Sequence, residues 1–310
     1  MAGADSWTDL VDPSKEEIVE HAPRDLHPRA LDQLLEPARS PREVRPVIEG
    51  HGDYVFGILL PATAVPEESR VVYQEIGFVL THDRVLTVRK TPVGATPFDV
   101  EPLRAVCEVH PHLLPGKIAY HLVDDVVESY FDLLDDVHDE LDELEEQIED
   151  WPAPEIQRRL ASLRHDVLDI RRVVAPTRDA VRGVVDGRTD IEGRPLFRRE
   201  VFPEAVELHF ASVHDKLLRA AESLDFAREL VAAIREYHQT KLASDQNRVA
   251  KTLTVIFALV LIPTFIVGVY GQNFRHMPEL DWRLGYLFSW GLIVAVTLVQ
   301  LAIFRWRRWL

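Results

Sequence analysis

The sequence of 310 residues carries 51 Asp plus Glu against 35 Lys plus Arg, a formal charge of −16, which disfavours a nucleic-acid partner because phosphate binding needs a basic patch. A single cysteine, Cys107, excludes an intrachain disulfide framework and any multi-cysteine metal centre. No glycine-rich phosphate loop, nucleophile elbow or zinc-protease helix is present, so neither an ATP-driven pump nor a hydrolase is supported, and no enzymatic activity or cofactor is expected.

Residues 1–40 are rich in Pro, Asp, Glu and Arg with little periodicity; they read as an N-terminal tail or a loosely packed helical lead-in, without a secretory signal. Over 41–115 short β-rich runs at 54–60, 71–80 and 84–89 are broken by Pro, Gly and His82-Asp83. They predict a small, mostly antiparallel sheet, followed by a helix over 98–110, in a cytoplasmic domain of the α+β class. Residues 116–202 read as an antiparallel helical pair. Its first helix reaches residue 150, with Leu122, Val126, Tyr130, Leu133, Val137, Leu141, Leu144 and Ile148 spaced by three or four. The return helix, 156–185, carries Arg158, Arg159, Arg164, Arg171 and Arg172.

The negative charge is local. Residues 124–150 hold fourteen acidic residues and no Lys or Arg, leaving 37 acidic against 35 basic elsewhere. Such a run concentrates cations, pairs with basic residues on neighbouring helices, or is a solvated face.

A stalk helix is predicted over 203–251, because 204–262 is a stretch of 59 residues without Gly or Pro, roughly 90 Å of helix. Val206, Phe210, Val213, Leu217, Leu224, Val231 and Ile234 form one stripe, suited to intrachain packing or to a parallel bundle of identical subunits. The stretch 252–274 then runs 23 residues without a charge, and 284–304 another 21. Each is long enough to cross a hydrocarbon core of ~30 Å. Arg235, Lys241, Arg248 and Lys251 precede the first span, and Arg305, Arg307 and Arg308 lie in the basic tail 305–310. The positive-inside rule places both flanks, and both termini, in the cytoplasm of a cell-membrane protein, with 275–283 as a short external loop. Two spans cannot enclose a pore, so conduction requires an oligomer embedded in the lipid bilayer.

At the outer end of the first span stands Tyr270-Gly271-Gln272-Asn273-Phe274, followed by Met277-Pro278-Glu279-Leu280. Here the chain resembles the CorA family of magnesium and divalent-cation transporters, marked by a Gly-Met-Asn triplet at this place. The likeness extends through 247–254 and 264–268 and fits residues 44–310. It implies a homopentameric funnel that passes Mg²⁺, and Co²⁺ or Ni²⁺, without covalent chemistry. By the family's pattern Asn247, Ala250, Leu253, Phe257, Leu261, Thr264 and Gly268 face the axis.

Because Mg²⁺ gives up water reluctantly, Gly271, Gln272 and Asn273 would offer oxygen atoms to the hydrated ion at the entrance. In the family, carboxylates between subunits sense intracellular Mg²⁺; Glu236 is the nearest match, and the second position falls near Ser212, with Asp215 one turn on. Gln272 in place of Met changes the contacts to the ion's hydration shell. Arg275 and Arg283 oppose Glu279 and Asp281 in the external loop, and His276 reads as a solvent-facing loop histidine, with a ligand that favours softer ions as the alternative. Zinc transport, with or without proton coupling, is the alternative within the fold; a non-conducting membrane-anchored scaffold is the alternative outside it. His110, His112, His209, His214 and His238 form no compact ligand set and read as structural.

Overall fold

The computed structural model describes residues 6–65, 70–110, 112–189, 201–272, 277, 282–307 and 309. They fall into two units, Met1–Ile234 and Arg235–Leu310, each taken by itself below.

In the first unit the sheet is built from β1 (Trp7–Val11), β2 (Val47–Gly50), β3 (Val55–Leu59), β6 (Glu75–Leu80) and β7 (Val85–Lys90), in the order β1-β7-β6-β3-β2, with β4 (Ala62–Val65) and β5 (Arg70–Tyr73) forming a separate two-stranded ribbon. All pairings are antiparallel except β1 with β7. Between β1 and β2 lie α1 (Lys15–His21) and α2 (Pro28–Leu35). The N-terminal segment is therefore no tail: it supplies two helices, as the helical lead-in reading has it, and an edge strand that neither reading contains. Its pattern hides this because β1 is only five residues long and carries an inward carboxylate. Asp9 is paired with the Arg89 guanidinium at 2.6 Å and accepts from Thr87 Oγ1 at 2.7 Å. Charge in a strand reads as exposure until its partner is known.

The run 71–80 also divides. Gln74, 1% exposed, ends β5 and turns the chain into β6; its Nε2 donates to the Thr96 carbonyl at 2.6 Å and its Oε1 accepts from Phe98 N–H at 2.7 Å. Burying the amide is tolerable because both ends are satisfied.

Strands β3, β6 and β7 are buried along their whole length, as expected of strands covered on both faces. Leu34 of α2 closes over Gly77, while α4 (Pro115–Gln147) packs against β4, β6 and β7. At Gly57 the backbone makes room for its cross-strand partner: a Cβ there would lie 2.2 Å from Phe78 Cζ, in a ring that is 1% exposed. Gly57→Ala is accordingly expected to destabilise the first unit by about 1–3 kcal/mol through overpacking, seen as a lower melting temperature of the detergent-solubilised protein.

After α3 (Glu101–Val109), α4 and α5 (Ala153–Val185) run as the predicted pair, reversed at Trp151-Pro152. Their opposite charges meet: Arg159 contacts Glu140 and Glu143 at 3.0 Å each and stacks over the Trp151 ring at 4.2 Å. The first part of α6 (Glu204–Tyr270) joins them, with Lys216 reaching Asp124 of α4 at 2.6 Å and also Glu128. The stripe from Val206 to Ile234 is buried within this single chain, so intrachain packing accounts for it.

The second unit holds the rest of α6 and α7 (Gly285–Trp306). The uninterrupted stretch ends at residue 262, yet α6 continues through Pro263 to Tyr270. In an apolar span helix is the arrangement that keeps backbone groups bonded, and a proline costs one rung rather than the element. The most apolar windows of α6 and α7 have mean hydropathies of 2.5 and 2.2, and only 6% of each is buried. Core helices of that composition would be covered; these are bare, as membrane spans are.

Candidate functional site

The second part of α6 shows one shielded side. Val255 is 3% exposed, and the neighbouring positions at helical spacing, Ala258, Leu259, Ile266, Val269 and Tyr270, are half-buried. Gln300 of α7 bonds to Ala258 on this side at 2.9 Å. With 3.6 residues per turn, Ala250, Leu253, Phe257, Leu261, Thr264 and Gly268 fall within about 60° of the line opposite Val255, and Asn247 about 100° from it. All seven are exposed in the single chain, Phe257 and Leu261 at 67%. Exposure is not confined to them: Val260 and Val267 on the same face, and Ile256 and Phe265 on its flanks, are also more than half exposed. An apolar helix bare on its back and flanks needs both lipid and neighbouring helices.

Along the face opposite Val255 the chemistry is sparse. Thr264 donates its hydroxyl to the Val260 carbonyl at 2.7 Å, which ties down the proton and leaves the oxygen's lone pairs free to accept from a hydrated ion. Helix α6 closes in a turn in which Gly271 N–H donates to Val267 O at 2.8 Å and Gln272 N–H to Val269 O at 3.3 Å. A Cβ on Gly271 would press to 3.2 Å from the Val267 carbonyl, so glycine suits the turn. The negative end of the helix dipole lies here, an electrostatic preference for cations. Asn273, Arg275, His276 and Glu279 lie outside the described residues, as does Asp281; Gly271 and Gln272 are both exposed.

Glu236 and Asp215 are exposed on α6, and the Ser212 hydroxyl donates to its own helix at His209 O, 2.7 Å away. Among the described residues no three His, Cys, Asp or Glu side chains gather to hold a metal ion. His238, read as structural, is 4% exposed, with neither ring nitrogen hydrogen-bonded among the described residues.

The acidic helix is partly neutralised and partly strained. Burial pushes the Asp125 carboxyl up to about 6, helped by Asp124, Asp99 and Glu128 and opposed by Lys216. A carboxylate whose folded value exceeds its ordinary one contributes stability below that ordinary value, lost as pH rises through about 6. Ionised Asp125 thus burdens the fold at pH 7.5. Asp125→Asn is expected to raise the melting temperature at pH 7.5 by about 2–4 °C and to gain less at pH 5.

Gln300 escaped the sequence reading. An amide in a span otherwise made of apolar and small residues was the available signal, and it was read only as the absence of charge.

The chain is similar to known proteins along nearly its whole length. Residues 4–308 match the family described as CorA-like Mg2+ transporter protein. The Cobalt/magnesium transport protein CorA of Thermotoga maritima is 27% identical over 289 residues, 92% of this chain and 77% of that protein. The Divalent cation transporter CmaX of Pseudomonas aeruginosa is 26% identical, over 91% of this chain and 80% of its own. The complete structure of the CorA magnesium transporter from Methanocaldococcus jannaschii superposes with a TM-score of 0.76 at 20% identity, covering 96% of this chain and 89% of that one. With a family match across nearly its whole length, the chain belongs to the CorA-like Mg2+ transporters, a family of membrane transporters rather than of enzymes.

Proposed function

We propose that this CorA-family divalent-cation transporter is a passive Mg²⁺ channel, passing Co²⁺ or Ni²⁺ as well, formed by five copies around the back of α6. The observation that carries the reading is that this face lies opposite the side tied to α7, is exposed from Ala250 to Gly268, and ends in the carbonyl-bearing Gly271-Gln272 turn. Few polar rings in an apolar tube allow gating by dewetting and avoid trapping a divalent ion. Asn273, with Gly271 and Gln272, meets the ion with its water still bound, since Mg²⁺ keeps several of its waters.

Both flanks of the spans face the cytoplasm, and Glu279 lies in the external loop. The protein holds no cofactor; Mg²⁺ is the cargo and, at Glu236, a regulatory ion bound between copies. The driving force is the inside-negative potential, ~2.3 kcal/mol per charge per 100 mV, twice that for a divalent ion. The test is flux of Mg²⁺, Co²⁺, Ni²⁺ and Zn²⁺ into proteoliposomes at set potentials. Mg²⁺ influx that grows with inside-negative potential is expected; a preference for Zn²⁺, or dependence on a proton gradient, would favour zinc transport, and no flux of any ion would leave a scaffold.

A further inference from the structure

An amide buried between two membrane spans costs stability unless it bonds to something. Gln300 of α7 is 8% exposed, and its Nε2 donates to the Ala258 carbonyl of α6 at 2.9 Å. Its Oε1 is equally shielded and accepts from no described group. Leucine would fill similar space without burying an unpaired acceptor, so packing alone does not explain glutamine here.

Its target is not an arbitrary carbonyl. Pro263, inside α6, has no N–H to give the Leu259 carbonyl four residues back, and its ring crowds that carbonyl. A helix that lacks one rung is locally easier to deform. Gln300 grips the carbonyl of Ala258, adjoining the broken rung, on the same side of the helix as buried Val255.

We propose that Gln300 is a positioning residue for ion passage: its bond to Ala258 braces α6 beside the rung that Pro263 leaves unmade. Beyond that rung lie Thr264, Gly268 and the Gly271-Gln272 turn, so the bond sets how these residues are presented along the ion path. Gln300 touches no ion. The inference rests on the reading that α6 lines the path.

The experiment measures Mg²⁺ influx into proteoliposomes at fixed inside-negative potential for the unaltered protein, Gln300→Leu, Pro263→Ala and the double variant, with maximal flux and half-saturating Mg²⁺ determined separately. Gln300→Met repeats the test with a flexible side chain. Gln300→Leu is expected to change maximal flux about threefold, the shift in a two-state ratio that an average interhelical hydrogen bond in a bilayer produces, with half-saturation unchanged. In the Pro263→Ala background the same substitution is expected to have no further effect, since the two act on one weakened rung. Unaltered flux in both Gln300 variants, or effects of Gln300→Leu and Pro263→Ala that simply multiply, would overturn the proposal.

Thr264→Cys in a Cys107→Ser background, challenged with a charged thiol reagent, tests the pore reading separately. If the reagent fails to block, α6 does not line the path and the inference falls with that reading. Block together with unaltered Gln300→Leu flux sinks the positioning role alone.

Discussion

Asn273→Ala is expected to lower Mg²⁺ flux in proteoliposomes at least about tenfold while leaving the oligomer intact on gel filtration. Net hydrogen bonds contribute about 0.5–1.5 kcal/mol each, and in a ring of identical copies the loss recurs in every subunit, so a tenfold effect, ~1.4 kcal/mol, is a modest demand. The substitution removes an acceptor immediately beyond the Gly271-Gln272 turn, where α6 presents the negative end of its dipole. Asn273→Asp sharpens the test. A carboxylate keeps the acceptors and adds charge, so ion occupancy should rise and release should slow, giving a lower half-saturating concentration together with a lower maximal rate. Wild-type flux in Asn273→Ala would remove the entrance from the mechanism.

Phe257→Ser is expected to act in the opposite direction, raising Mg²⁺ flux at zero applied potential about tenfold. Phe257 is 67% exposed in the single chain, and it lies on the face turned away from Val255. Rings of phenylalanine around an axis make a constriction that water leaves, and a dry constriction is a barrier to an ion that keeps its hydration shell. Serine hydroxyls wet it. Phe265, 70% exposed but about 80° from Phe257 around the helix, serves as the control: Phe265→Ser should leave flux near its original value. Equal effects at the two positions would mean that the predicted axial face is wrong.

What could be read from the sequence depended on how long each signal ran. Helices α4, α5 and α6 announce themselves over thirty or more residues of three-and-four spacing, and the spans by the absence of charge, so their presence needed no tertiary information. Pro263 did not interrupt that reading, since the uncharged stretch 252–274 runs through it, and α6 continues past it to Tyr270. Strand β1 could not be recognised: five residues containing Asp9 look solvated until Arg89 is seen beside them. The division of 71–80 at Gln74 likewise depended on acceptor and donor groups at Thr96 and Phe98, more than twenty residues away. The axial positions came from a family pattern; six of the seven fall on a common side of α6, and Asn247 falls outside it. Gln300 was legible as a polar residue in a span, though its partner Ala258, 42 residues earlier, was not.

The parallel partnership of β1 with β7 also constrains how the protein can be handled. Proteolytic trimming that removed β1 would uncover the flank of β7 and strip Arg89, 7% exposed, of the carboxylate that neutralises it. A solvent-shunned guanidinium beside a raw sheet margin invites intermolecular strand addition. Affinity handles and reporter fusions therefore belong ahead of Trp7 with slack between, never in place of the opening strand.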